Sequence, residues 1–228
     1  MIITEQKPLA EILEILRDCS QIFLVGCGEC ATTCKTGGEA ELAQIKAQLE
    51  AQGKTVVGMC IPGAPCVAAQ IKTELAKNMQ VLRKAEAVLV LACGLGAQSV
   101  KDNERIGLAV FPACNSLFGA VMDAQGNFYE KCSLCGECVL DITGGICPIT
   151  LCAKGLLNGP CGGMNKGKCE VDQEKDCAWV LIYKELEKRN KLAELKKIQE
   201  PKDFKKTTRP HKLILAKLPP SINQDRVL

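Results

Sequence analysis

The sequence predicts an α/β protein: a small parallel sheet with flanking helices, followed by a cysteine-rich, ferredoxin-like, metal-stapled domain and a C-terminal helix with an extended tail. Three observations carry that expectation. Short apolar runs alternate with helical patterns through the first half of the chain. From about Asn127 the texture changes to glycine and cysteine with no long apolar run, a composition that cannot hold a core by burial and needs a staple. Finally, 16 of the 228 residues are cysteine. The expected divisions are 1–125, 126–178 and 179–228.

Taken in order, Leu9, Ile12, Leu13 and Leu16 fall at helical spacing, and 22–25 reads as a buried strand. A polar-faced helix over 39–52 leads to a strand over 55–59, and the pattern repeats with a helix over 67–80 and a strongly apolar strand over 87–92. A shorter strand is expected over 108–111. In this layout Cys27, Cys60, Cys93 and Cys114 each lie at or just beyond the carboxyl end of a strand, the edge where open α/β sheets place their ligands. Further on, Trp179, Ile182, Tyr183 and Leu186 follow i, i+3, i+4, i+7 and predict a helix over 178–197. The segment 200–228, with four prolines and scattered lysines, reads either as a mobile tail or as an arm across another subunit, with the apolar stretch 213–218 packing on the partner.

A net charge of +3, a pI near 8.1 and an aromatic share of 4% argue against nucleic acid as the main ligand. No run approaches the roughly 20 apolar residues of a membrane span. The opening MIITEQKPLAEILEILRDC has scattered charges and no apolar stretch of signal-peptide length. A cytoplasmic location is therefore expected, in which the cysteines stay reduced and serve as metal ligands rather than disulfides.

The stretch VGCGECATTC at 25–34 poses a choice. Gly26, Gly28 and Ala31 fit GxGxxA, which opens a helix onto a dinucleotide pyrophosphate, yet Cys27, Cys30 and Cys34 occupy the same turn. A dinucleotide site wants an acid at the end of the second strand, and that place holds Met59-Cys60-Ile61-Pro62. Metal is the better reading. Cys27, Cys30 and Cys34 supply three ligands, with a fourth from Cys60, Cys66, Cys93 or Cys114. Cys93 is favoured because its strand is the most apolar and its loop, CGLG, brings backbone amides close to sulfur. Cys19 reads as a packed small hydrophobe.

The strongest motif is Cys132-Ser-Leu-Cys135-Gly-Glu-Cys138, followed by Cys147-Pro148. Two-residue gaps let successive thiolates close on separate irons of one cubane. The gap before Cys147 is eight residues, against three in ferredoxins, which weakens a ferredoxin fold but leaves the three-cysteine clamp intact. With Cys152, Cys161, Cys169 and Cys177 the segment holds eight thiols. Eight match two 4Fe-4S clusters or two four-cysteine zinc sites, and the clamp leans toward iron. Gly28, Gly94, Gly136 and Gly162 are the glycines expected to let backbone approach the cofactor. Elsewhere the single histidine, His211, reads as solvated, and there is no P-loop, GxSxG or HExxH motif. The twelve basic residues against five acidic over 184–217 form a solvated face or a dock for an acidic electron carrier.

The run containing NGPCGG (158–163), GKCEV (167–171) and CAW (177–179) before an aliphatic-aromatic helix resembles the methylenetetrahydrofolate reductase C-terminal domain. Upstream, GCGECATTCKTGGEAE and VLACGLGAQ are similar to the amino-terminal half of the same small subunit, so the resemblance spans about 5–200. It implies a non-catalytic iron-sulfur subunit that relays electrons from a donor protein or complex to the FMN of a flavin-bearing catalytic subunit. That partner reduces methylenetetrahydrofolate to methyltetrahydrofolate in anaerobic one-carbon metabolism, including acetogenesis. Under the ferredoxin rule that a Cys-Pro cysteine serves the other cluster, Cys177 would complete the set of Cys132, Cys135 and Cys138. Cys147, Cys152, Cys161 and Cys169 would then form the second set, and the amino-terminal half would hold a third cluster. The competing expectations are a structural zinc scaffold of the same reductase and, more remotely, a small NAD-dependent oxidoreductase.

Overall fold

A computed structural model describes residues 1–214, so most of the apolar stretch 213–218 lies outside the described residues. The chain divides into two compact units, Met1–Lys131 and Cys132 onward.

The first unit carries β1 (Ile2–Gln6), α1 (Leu9–Ile15), β2 (Gln21–Val25), α2 (Cys30–Thr33), α3 (Glu39–Ala51), β3 (Thr55–Cys60), α4 (Ala68–Lys77), α5 (Met79–Leu82), β4 (Ala87–Val90), α6 (Gly94–Asn103), β5 (Ala109–Pro112), β6 (Cys114–Met122) and β7 (Phe128–Glu130). Four strands form a parallel sheet in the order β3-β2-β4-β5, as the alternating pattern requires. Both faces are covered, which is why β2 and β4 read as unbroken apolar runs. Along β2, Ile22 and Leu24 join Ile12, Leu16, Leu42, Ile45 and Leu49 of α1 and α3. Phe23 and Val25 point the other way, into a core with Ile71, Leu75 and Val100 of α4 and α6. At the start of α3 the Glu41 carboxylate accepts the Gly38 N–H at 2.9 Å, satisfying one of the donors that a helix leaves open.

Two features differ from expectation. The helix expected over 67–80 breaks at Asn78, whose Nδ2 donates to the Glu74 carbonyl at 2.9 Å and turns the chain between α4 and α5. A second sheet, antiparallel and three-stranded in the order β1-β6-β7, was not expected. Strand β6 buries only Cys114 and Ala120 among its nine residues, so it shows no period-two apolar signal. Asp123 closes the β6-β7 hairpin by accepting the amides of Gln125 and Asn127 at 2.9 and 2.8 Å.

The second unit contains α7 (Pro148–Leu151), α8 (Ala178–Lys188), two 3-10 turns and isolated bridges among its described residues. The ferredoxin-like arrangement expected there does not appear among them. Its apolar cluster is small, built on Cys177, Trp179, Ile182 and Leu186. Helix α8 stops at Lys188 rather than running to 197. Asn190 adopts φ +55, its N–H reaches the Glu187 carbonyl at 3.0 Å and the Lys191 N–H reaches Leu186 at 2.8 Å, a left-handed C-terminal cap.

Phe23 is fully buried at the centre of the parallel sheet. Phe23→Ala is expected to destabilise the first unit by about 3–5 kcal/mol, read as a lowered urea midpoint with an unchanged slope.

Candidate metal centres

In the parallel sheet the chain leaves β2 outward to β3 and returns to β4 on its other side. The carboxyl ends of β2 and β4 therefore flank the switch point where such sheets open a crevice. Cys27 and Cys30 follow β2, and Cys93 is the N-cap of α6 after β4. The loop after β3 closes over them. The Gly28 N–H donates to the Pro62 carbonyl at 2.9 Å, and a Cβ on Gly28 would meet Gly63 Cα at 3.2 Å. A Cβ on Gly96 would meet Pro65 Cγ at 3.1 Å. This loop brings in Cys66. Its thiol is pushed up first by partial burial and then by the charge of Cys93, with smaller contributions from Cys27 and Cys30.

The turn's amides are already engaged. Gly26 donates to the Cys60 carbonyl at 2.9 Å, Cys27 to Gly37 at 3.0 Å and Gly28 to Pro62. A pyrophosphate would find those N–H groups committed, a physical reason beyond the missing acid for setting the dinucleotide reading aside.

The unexpected antiparallel sheet braces this rim. Thr4 of β1 and Thr36 share a buried hydroxyl contact of 2.6 Å, and Ser116 Oγ of β6 accepts the Gly94 N–H at 2.8 Å beside Cys93. Cys34 points toward the Ile2 carbonyl at 3.9 Å. Cys114, at the start of β6, donates to the Thr36 carbonyl at 3.6 Å and is pushed up to about 12 by burial. Cys60 is likewise raised to about 12, by burial and then by Glu74. These two behave as core thiols. Cys19, half-buried against the α1/α3 core, packs as a small hydrophobe.

In the second unit Cys152, Cys161, Cys169 and Cys177 line one small pocket. Cys177, expected to complete the 132–138 set, lines this pocket together with Cys152, Cys161 and Cys169. The reason is local. The Cys177 N–H bonds the Gly167 carbonyl at 2.8 Å and the Cys169 N–H bonds Lys175 at 2.9 Å, folding 165–177 back on itself and carrying both cysteines to one side. The Cys169 thiol is lowered by the backbone amides of Val171 and Asp172, as a ligand sulfur needs. Trp179, its Nε1 donating to Leu156 at 3.1 Å, walls the pocket and separates it from an apolar groove of about 620 Å³.

The clamp itself is strongly turned. Leu134 and Gly136 both take positive φ, +56 and +76. That geometry aims the Leu134 N–H at Cys132 Sγ, 3.4 Å away. Cys135 is lowered first by a bond from Lys202 and then by the backbone of Glu137. Cys138 is exposed, and Cys147 caps the short helix α7 with Pro148 at its first position. Gly162, at φ +83 in the loop after Cys161, has open space where a Cβ would stand.

Among the described residues no three Cys, His, Asp or Glu side chains converge on a single ion position. What the chain offers is sulfur-rich loops, with the Leu134, Val171 and Asp172 amides reaching sulfur in the second unit, a donor chemistry that fits thiolate-bound iron or zinc. The sequence left Cys66 open and did not single out Lys202, which the structure brings to 2.9 Å from Cys135 Sγ. Cys66 carried a weak signal, its place after two prolines in PGAPC at the end of a strand.

Residues 111–205 match the family model described as methylene-tetrahydrofolate reductase C terminal. No curated protein and no solved structure matches the chain.

Cys60 and Cys114 bind their protons more tightly folded than unfolded. They support the fold fully below their ordinary pKa near 9, and that support is lost as pH rises toward 12. Urea midpoints at pH 8 and pH 10 should therefore fall less steeply in Cys60→Ala than in the natural chain.

Proposed function

We propose, from the match of residues 111–205 to the family model described as methylene-tetrahydrofolate reductase C terminal, that this chain is the iron-sulfur electron-transfer subunit of such a reductase. The family match associates it with that enzyme. The observation that carries the finer reading is the gathering of Cys152, Cys161, Cys169 and Cys177 around one pocket, which leaves Cys132, Cys135, Cys138 and Cys147 as a second set of four. On the first unit, Cys27, Cys30, Cys66 and Cys93 are the third set, with Cys34 turned to Ile2.

Bound at these sets, iron-sulfur clusters would supply one-electron transfer between a donor protein and the FMN of a catalytic subunit. The chain's own residues do the rest. Thiolates fix each centre, and the Leu134, Val171 and Asp172 amides donate to sulfur and offset its negative charge. Trp179 and the surrounding apolar residues exclude water from one side.

A structural zinc scaffold uses the same thiols and remains the second reading, favoured by the small core of the second unit. Metal analysis separates the two. Anaerobically purified protein is expected to hold about eight to twelve irons per chain, at four per cluster. Zinc in place of iron would establish the scaffold and end the relay. Cys66→Ser should lose about one cluster's iron, whereas Cys34→Ser keeps it; the opposite pattern would restore Cys34 as the ligand.

A further inference from the structure

Residues 202–206 cross the 132–138 clamp, and Glu137 pins them there. Its carboxylate accepts the Asp203 N–H at 2.9 Å and Lys206 Nζ at 3.2 Å, and its carbonyl accepts Lys202 Nζ. Phe204–Thr207 forms a single 3-10 turn capped by the Asp203 side chain, which accepts the Lys205 N–H at 3.0 Å. The fit is close enough to exclude a side chain at Gly136, where a Cβ would stand 3.0 Å from Lys206 Cβ and 3.2 Å from its carbonyl oxygen. One consequence is specific: Lys202 Nζ lies 2.9 Å from Cys135 Sγ.

We propose that 202–206 is a built-in strap whose Lys202 ammonium is a fixed positive charge on the Cys135 sulfur, raising the reduction potential of the centre that sulfur holds. This rests on the iron reading of the clamp. Reduction adds one negative charge to a centre already ringed by thiolates. A cation held at a ligand sulfur stabilises the reduced form more than the oxidised one, so the potential rises. An exposed ion pair alone contributes little, but here three donors converge on one glutamate and fix the ammonium in place. The same contacts cover the clamp's loop, so the strap also limits solvent at that sulfur. Residues 202–206 are thus held by contacts within their own chain.

The test uses the full chain, purified anaerobically, with Lys202→Met as the near-isosteric loss of charge and Lys205→Met as a control on the same strap. Iron content is measured first, then each midpoint by mediated redox titration followed by electron paramagnetic resonance. Lys202→Met should keep its iron and shift one midpoint downward while the others stay, and Lys205→Met should shift none. Unchanged midpoints in Lys202→Met with full iron overturn the inference. A second readout needs no metal: Glu137→Ala should accelerate tryptic cleavage after Lys202, Lys205 and Lys206 several-fold, and equal rates overturn the strap. Iron-free natural chain would sink the iron reading and the potential role together, leaving trypsin to decide the strap alone.

Discussion

Thiolates crowded into one loop cluster repel one another, and the arrangement around them answers to that repulsion. At the switch point of the parallel sheet, the Cys66 thiol is pushed up first by partial burial and then by Cys93, Cys27 and Cys30. In the second unit, backbone amides at Cys169 and an ammonium at Cys135 take up the negative charge instead. On the proposed reading, a bound cationic centre would remove the same repulsion, and its binding energy would become folding energy for a segment with so little apolar core.

The two units meet this demand by different means. In the first, a well-packed doubly covered sheet presents loops whose positions are already set by Thr4, Thr36 and Ser116 from the antiparallel sheet. Gly37 shows how closely those loops are held, since a Cβ there would run into the Leu91 carbonyl. In the second, left-handed positions at Leu134, Gly136, Gly144, Gly145, Gly155, Gly159 and Gly162 turn the chain repeatedly. Among the described residues there, the sizeable apolar element is α8, with Trp179 and Ile182 in its core cluster.

Much of the first unit was legible because buried parallel strands leave unbroken apolar runs, and Phe23, Val25, Leu89 and Val90 are such runs. Strands β1, β6 and β7 were not, because an antiparallel strand with one open face and few buried residues carries no comparable pattern. The end of α8 was overrun because leucines and lysines continue at helical spacing while the stop depends on one left-handed asparagine, Asn190. The crowding of cysteines in CxxCxxC and at strand ends was legible from the sequence. What brings Cys152, Cys161, Cys169 and Cys177 to one pocket was not, since it depends on the fold-back of 165–177. The strap was invisible for a simpler reason: nothing in the lysine-rich composition of 202–206 announces that Glu137, sixty-odd residues earlier, would gather it.

The central claim is that iron, held by sulfur, occupies the pocket of Cys152, Cys161, Cys169 and Cys177. Anomalous diffraction from crystals of the anaerobically purified chain, recorded on both sides of the iron and zinc absorption edges, addresses it directly. An iron signal within that pocket, bonded to those four sulfurs, is the predicted result. A zinc signal there, or four sulfurs bonded to nothing, would contradict it.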